Sequence, residues 1–589
     1  MPRRSRKASL IAGDYKTATQ VNPQGAPSFE YSDEERLVMT ILTNTMEPTF
    51  YSPPEKLAIE ALDNHRLVLD SDPEFYQKAL VYGRTEGYMR LQPILGLVLL
   101  TTKGIPISPK VFNAILRTPN DVASFIDLCK NAGIREGMGQ RIKTLLQQWL
   151  ANKISEYWAV KYRQPLVEAI KLSHPKMTVE WNRIASQIQR ERIRQRLTTT
   201  GETEDEAETV TEPIGTAKEI ADYLMTKHRG EPIPDDLLEN LPQIKAWEDL
   251  NQKVYTQEEV TVGEVRRAIH EGRLPHESIT GMISPTVEIW KELVEQMPYF
   301  ATLRHLATLH RAGVFEDREA LFAVCQKISD PRLIERSMIL PYRFYLAYKK
   351  MKEINAGQPI IDALELALNA SFNNITTMDG RGCIGIDVSG SMGSTPRHDA
   401  VKGGAKQLAY NEIAGTFGVP LMFKSTDVIT LPFDYEGRGW GDSRSTGVYP
   451  DLLDTSKPML WNINSLCSHG GGATDCSLPI RYLERNEITV DWFVGITDNI
   501  EWGTSGGSSE GWLTAWRRYK ETFNPTCKAF LVTISPYGHS MYPFGEPDVY
   551  QIFGWSEQVL RFIQLGIAGL NTQVDYIRNL DLNVEVVER

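Results

Sequence analysis

An α + α/β chain is predicted, a long all-helical region followed by a doubly wound parallel sheet, and three observations predict it. From about residue 31 to 370 apolar residues recur at three and four positions, as in Val122, Phe125, Ile126 and Cys129 or Ile289, Trp290, Leu293 and Met297. That is the period of an amphipathic helix. Beyond about residue 376 the pattern changes to short apolar runs, Cys383 to Ile386, Leu421 to Phe423, Val490 to Ile496 and Ala529 to Ile534. Helix-period stretches lie between and after them, around Ala400 to Ala414, Ser477 to Leu483, Trp512 to Phe523 and Ser556 to Leu565. Strands that alternate with helices in this way build a parallel sheet covered on both faces. Finally, 589 residues, 41% hydrophobic and 24% charged, have an ordinary globular composition and enough length for two large domains.

Taken in order, residues 1–30 read as a tail, 31–375 as the helical domain and 376–589 as the α/β domain. The first twenty residues carry charges but too short an apolar stretch for a signal-peptide core. The longest apolar run, Ile94 to Leu100, falls far short of the roughly 18 to 20 residues that span a bilayer. The predicted helices run 12 to 18 residues and are punctuated by Pro and Gly, without a repeat that aligns at 34 or 40 residues. A degenerate helical-repeat array fits this pattern. Within it, 198–215 (TTTGETEDEAETVTEPIG) is acidic, polar and aperiodic, and reads as a mobile inserted loop. Six cysteines include no CxxC pair, so zinc-ribbon and thioredoxin-type sites are not expected; reduced thiols and a cytoplasmic location are.

Charge separates by region. The whole chain is −11, and residues 371–589 alone carry 17 basic against 25 acidic residues. Residues 135–196 reverse the balance, with 13 basic against 5 acidic. A locally basic segment on an acidic body is a candidate polyanion site. In it Arg141, Lys143, Lys161, Arg163, Lys171, His174 and Lys176 alternate with Trp149, Tyr157, Trp158 and Tyr162. Single-stranded nucleic acid is held by this pairing of phosphate charge with stacking platforms. The competing reading is a solvated helix face whose aromatic residues point into the core.

The sharpest constellation is Asp387-Val388-Ser389-Gly390-Ser391, at the end of the strand Cys383 to Ile386. Ligands of open α/β sheets bind there. A carboxylate and two hydroxyls at alternate loop positions can converge as hard oxygen donors for magnesium or manganese. The turn Gly470 to Asp475 supplies a further hydroxyl and carboxylate, and Thr497-Asp498-Asn499 ends the run Val490 to Ile496. The competing role is satisfaction of a turn and a helix N-cap. The three pieces together resemble the von Willebrand A domain with its metal-ion-dependent adhesion site, DxSxS, then Thr, then Asp. The resemblance implies direct ligation by Ser389, Ser391 and Thr474, with Asp387 and Asp498 acting directly or through water.

No GxxxxGK[ST] phosphate loop, HExxH or GxSxG elbow occurs. An aspartyl phosphoryl transferase would need a second Asp two residues after the first, where Ser389 stands. His305 and His310 read as packed or surface residues. No enzyme is expected.

An acidic A-type domain behind about 350 helical residues is similar to the TROVE family of Ro-type proteins, and further segments carry the likeness. Gly137 to Lys143 (GMGQRIK) with Trp149 resembles the family's GMWGRALR…W, one residue shorter and with Gln140 where Arg or Gly is usual. Lys161 to Gln164 (KYRQ) resembles KYKQ, and Leu172 to Lys176 (LSHPK) resembles LSHLKP. Trp290 to Pro298 and Leu303 to Leu306 follow WKALLQEMP…LLRNL, and Gly472 to Pro479 (GATDCSLP) follows GGTDCSLP. The resemblance implies a ring of HEAT-like helical repeats clasped by the A domain. It also implies binding of small non-coding, Y-like RNA on a basic outer face and of single-stranded, misfolded RNA ends in the central hole. Arg141, Lys143, Lys161, Arg163, His174, Lys176, Arg273 and Arg304 are the candidate RNA contacts. A monomer, with an exoribonuclease or another protein reached through the metal site, completes the expectation. The competing function is a metal-dependent protein adaptor with no role for RNA. A nuclease is the weakest reading, because a second carboxylate cluster for a two-metal site is missing.

Overall fold

The apolar runs of the C-terminal half become strands of one parallel sheet. In this computed structural model the described residues are 18–21, 27–43, 54–131, 139–175, 216–337, 339, 341–375, 377–393, 408–438, 444–445, 447–469, 471–499, 511–535, 537–543, 545–554, 559, 563 and 572–582. The strands are β1 (Met378–Asp387), β2 (Ser425–Phe433), β3 (Trp492–Thr497), β4 (Lys528–Thr533) and β5 (Val549–Phe553). Their order is β2-β1-β3-β4-β5, every pair parallel. Cys383 pairs with Ile429 on one side and Phe493 on the other, which sets the register of the three strands that carry the candidate metal residues or flank them. Gly382 is glycine for a reason of space, since a Cβ there would lie 2.0 Å from the Trp492 ring.

The core on one face is aromatic. Trp512 and Trp516, on the helix Trp512–Thr522, stack with centroids 5.6 Å apart and are both buried. Tyr519 of the same helix donates its hydroxyl to the Ile488 carbonyl and accepts from the Val490 amide, so it fixes the entry of β3.

Two expectations differ from the structure. Leu421 to Phe423, expected as a strand, is the last turn of the helix Tyr410–Lys424, and β2 follows it. Thirteen of that helix's residues are buried, so its sequence is apolar all round and has no amphipathic period to distinguish it from a buried strand. The edge strand β5 was missed because its five residues, VYQIF, interrupt the apolar run with Gln551. Part of the helix expected around Ala400 to Ala414, and most of that around Ser556 to Leu565, lies outside the described residues.

The chain divides into two compact units, one joining Met1–Pro93 with Ile328–Asp581, the other built on Ile94–Lys327. In the first, residues read as a tail pair with the α/β region: Phe29 and Ser540 exchange backbone hydrogen bonds of 3.0 and 2.9 Å. Buried Tyr31 packs edge-on to Phe553 and accepts from the Asn499 amide at 2.6 Å. The helix Pro73–Thr85 is capped by Asp72, and its Tyr82 accepts from Gln573 of the C-terminal helix Gln573–Arg578.

The second unit is helical throughout its described residues. Its helices start at residues that satisfy exposed N–H groups, among them Ser155, Thr286 and the reciprocal pairs Thr216/Glu219 and Thr261/Glu264. The acidic segment 198–215 lies outside the described residues. All six cysteines are unbridged, and among the described residues no helix is long and apolar enough to cross a membrane.

Candidate functional site

Asp387 is the last residue of β1, and its carboxylate organises the loop beyond it. One oxygen accepts from the Ser389 amide at 2.8 Å, the other from the Thr497 hydroxyl at the end of β3 at 2.7 Å. The Ser389 and Ser391 hydroxyls lie 3.3 Å apart. The turn containing Thr474 closes on the same loop, with Gly390 N donating to Gly472 O at 2.9 Å. Gly471 makes this approach sterically feasible, because a Cβ would sit 1.9 Å from the Val388 carbonyl oxygen and 2.5 Å from the Ser389 Cα. Asp498 follows Thr497, is fully buried, and its carbonyl accepts from Ser535 at 2.9 Å. Asp387, Ser389, Ser391, Thr474 and Asp498 are all buried; the first three and Asp498 lie at or just beyond strand ends, whereas Thr474, expected at a strand end, sits in the turn between the helices Met459–Ser468 and Leu478–Arg485.

The electrostatics fit a cation. Burial lifts the Asp387 carboxyl to about 6, and the charge of nearby Asp434 pushes the same way. A fully buried carboxylate among other acidic groups is costly to ionise, and a positive ion offsets that cost. Among the described residues no group of three His, Cys, Asp or Glu is placed to hold a metal. The candidate set is instead mixed carboxylate and hydroxyl oxygen, a donor set for a hard ion such as Mg2+ or Mn2+. Asp475, next to Thr474, points elsewhere. It accepts from Ser477 N and Oγ and from Arg481, and so starts the helix Leu478–Arg485.

The basic candidates lie in the helical unit on Gly139–Lys153, Glu156–Lys161, Arg163–Ser173 and elements packed near them. Arg141, Arg163 and His174 are exposed and Lys143 is half-buried. Arg163 lies 5.9 Å over the Trp247 ring, and His174 occupies the left-handed C-cap of its helix. Arg273 is exposed, and exposed Arg304 lies 5.8 Å over Phe300. Lys176 lies outside the described residues.

Lys161 is engaged within the protein. It pairs with Glu277 at 2.7 Å and donates to Tyr157 Oη at 3.1 Å. Burial works against its charge, but the Glu277 carboxylate and Tyr157 outweigh it and hold the ammonium above its usual range. Trp149 is no stacking platform: it is fully buried and donates to the Leu116 carbonyl at 2.6 Å, a core tie. Half-buried Tyr157, Trp158 and Tyr162 form an aromatic cluster around Lys161. His305 packs edge-on to His276 at 5.1 Å, in keeping with its reading as a packed residue.

Sequence reasoning missed Trp247, Lys227 and His228. The helix Ala217–Arg229 packs on Arg163–Ser173, which brings Lys227 to 5.7 Å over Trp247 and His228 to 3.4 Å from Lys171. The run Lys227-His228-Arg229 at a helix end was the available signal, but it lies beyond the 135–196 segment.

A five-stranded parallel sheet with helices, and a DxSxS loop meeting Thr and Asp loops at its strand ends, defines a von Willebrand A-type domain behind a helical region. Comparison with known proteins names the family. Residues 283–359 match the TROVE domain and residues 381–565 the Ro60 vWA domain. The chain is 23% identical over 508 residues to the RNA-binding protein RO60 of Deinococcus radiodurans, covering 82% of this chain and 83% of the relative. It is 21% identical to the Caenorhabditis elegans protein of the same name, covering 77% and 71%. The crystal structure of the Deinococcus radiodurans RO (RSR) protein superposes with TM-score 0.60 at 20% identity, covering 91% of this chain and all of that one. The chain thus carries matches to the TROVE and Ro60 vWA domains in that order and is similar to RO60 proteins along most of its length.

Proposed function

We propose that the protein is the RNA-binding component of a small ribonucleoprotein. It would hold structured, Y-like non-coding RNA and the single-stranded ends of misfolded RNA on its helical unit, for RNA quality control in the cytoplasm, without chemistry of its own. The observation that carries this is the exposed basic set on the helical unit of a chain whose relatives are named RNA-binding proteins along most of their length. Arg141, Lys143, Arg163, His174, Arg273 and Arg304 supply phosphate contacts, and Trp247 offers a half-buried aromatic face beneath Arg163 and Lys227.

In the same proposal the A domain holds one divalent cation, Mg2+ or Mn2+, through Ser389, Ser391, Thr474, Asp387 and Asp498. The ion supplies positive charge and an open coordination position for a partner. The chain's own residues set the loops, with Asp387 bridging Ser389 and Thr497.

The test is RNA binding across a salt series by the protein and by the double variant Lys143→Glu/Arg163→Glu. The protein is expected to bind with a steep salt dependence, and the variant to lose most of the affinity, with a slope shallower by roughly 0.7 to 0.9 per phosphate contact removed. Equal binding by both proteins would contradict the assignment of these residues.

A further inference from the structure

The Asp498 carboxylate stands between two residues that other side chains hold in place. Before it, the Thr497 hydroxyl donates to Asp387 at 2.7 Å. After it, Asn499 has a backbone φ of 65°, in the left-handed region that few residues besides glycine and asparagine enter readily. Three contacts hold it there. Its backbone N–H donates to the Thr497 hydroxyl at 3.1 Å, and its Nδ2 donates to the Thr533 hydroxyl of β4 at 3.0 Å and to the Tyr31 hydroxyl at 2.6 Å. The Asp498 carbonyl accepts from Ser535 at 2.9 Å. Of these partners only Tyr31 comes from outside the sheet and its loops, 468 positions away in the chain.

Tyr31 is itself anchored on both sides. Phe29 exchanges two backbone hydrogen bonds with Ser540, and its carbonyl also accepts from the Gln20 side chain at 2.8 Å. Ser32 and Glu35 exchange hydrogen bonds of 2.9 and 3.2 Å at the head of the helix Asp33–Thr43. Between these anchors Tyr31 is 3% exposed, with its ring edge-on to Phe553 of β5 at 5.3 Å. Packing on Phe553 needs only the ring. The hydroxyl reaches Asn499, one residue from Asp498.

We propose that Tyr31 is a positioning residue of the cation site: the strap 27–32 fixes the loop Thr497–Asn499, and with it the Asp498 carboxylate, so the affinity for the ion is linked to docking of the N-terminal strap. This rests on the reading that the A-domain loops hold a divalent cation, and the test separates the two. The coupling is reciprocal. Whatever factor the strap adds to cation binding, the bound cation adds to docking of the strap.

Mn2+ binding is measured by electron paramagnetic resonance on the full-length protein, on Tyr31→Phe and on Tyr519→Phe. Each substitution removes one buried hydroxyl, but Tyr519 ties the entry of β3 and Tyr31 the loop at its exit. Tyr31→Phe is expected to weaken Mn2+ binding about tenfold, the low end of the loss that follows removal of an outer partner of a metal site. Tyr519→Phe is expected to lower the denaturant midpoint and leave Mn2+ affinity unchanged. Asn499→Gly, which keeps the left-handed backbone and cuts the same tie from its other side, is expected to match Tyr31→Phe, and replaces it if that variant does not fold. Hydrogen exchange of the Phe29 and Ser540 amides is expected to slow about tenfold in saturating Mg2+, and by much less in Tyr31→Phe. Equal Mn2+ affinity in the protein and in Tyr31→Phe overturns the proposal, as does an equal loss in Tyr519→Phe, or exchange at Phe29 that is indifferent to Mg2+. A protein that holds no Mn2+ overturns the ion reading, and the positioning role falls with it.

Discussion

Lys161 and Lys143 look alike in sequence, both basic and both near aromatic residues, yet their surroundings differ. Lys161 ties the helix Glu156–Lys161 to Glu277 and bonds Tyr157 one turn back in its own helix, whereas Lys143 is half-buried on its helix. Lys161→Met is therefore expected to lower stability by roughly 1 to 2 kcal/mol, because it leaves Glu277 without its cation. Lys143→Met should stay within about 0.5 kcal/mol. Denaturant midpoints of the two variants check this. Trp149 makes the same point, since its indole N–H reaches a buried carbonyl that no spacing rule foretells.

His65 gives a pH signature. It is fully buried between Tyr76 at 2.7 Å and Gln92 at 3.0 Å, and burial lowers its pKa from 6.5 to about 4. Above pH 6.5 the ring is neutral in both folded and unfolded chains and costs nothing. As pH falls from 6.5 to 4 the unfolded chain takes up the proton first, so stability drops, by roughly 3 kcal/mol in all, and the loss levels off below pH 4. Urea midpoints measured across that window should show this fall, and His65→Gln should flatten it.

At the scale of elements, the loops of the candidate cation site depend on close backbone approach. Gly471→Ala forces its new methyl against Val388 O and Ser389 Cα, so the turn bearing Thr474 must move off the DxSxS loop. With the proposed cation bound, a Mg2+ concentration of one hundred times its Kd should stabilise the protein by about 2.7 kcal/mol. Gly471→Ala is expected to lose most of that gain, seen as a denaturant midpoint that Mg2+ no longer raises. An undiminished gain would show that the two loops are not held together by this contact.

The DxSxS and Asp498 pieces were legible because each ends an apolar strand, and strand ends in a parallel sheet converge; the Thr474 turn joins two helices, and only its motif marked it. What was illegible was the identity of deeply buried elements. The helix Tyr410–Lys424 reads as a strand over its last turn because no polar face marks its period. Asn411, whose Oδ1 is unmatched, opens no motif, and Lys227 and Trp247 are joined to Arg163 only by helix packing.

For the whole molecule, local pattern and packing partition the chain differently. The change of sequence grammar falls near residue 376, but the compact units group Met1–Pro93 with Ile328–Asp581. Phe29, Tyr31 and Tyr82 make that link through hydrogen bonds to residues about 470 to 510 positions away, and pairings of such separation leave no trace in a local window. Charge behaves likewise. A net charge of −11 does not oppose RNA binding when 135–196 carries 13 basic against 5 acidic residues.

RNA binding is the central claim, and purification tests it most directly. The protein is isolated without nuclease, its absorbance ratio is recorded at low and high salt, and any nucleic acid carried with it is sequenced. The expected result is small structured RNA that leaves steeply as salt rises. A protein free of nucleic acid that also ignores single-stranded RNA oligonucleotides at low salt would contradict it.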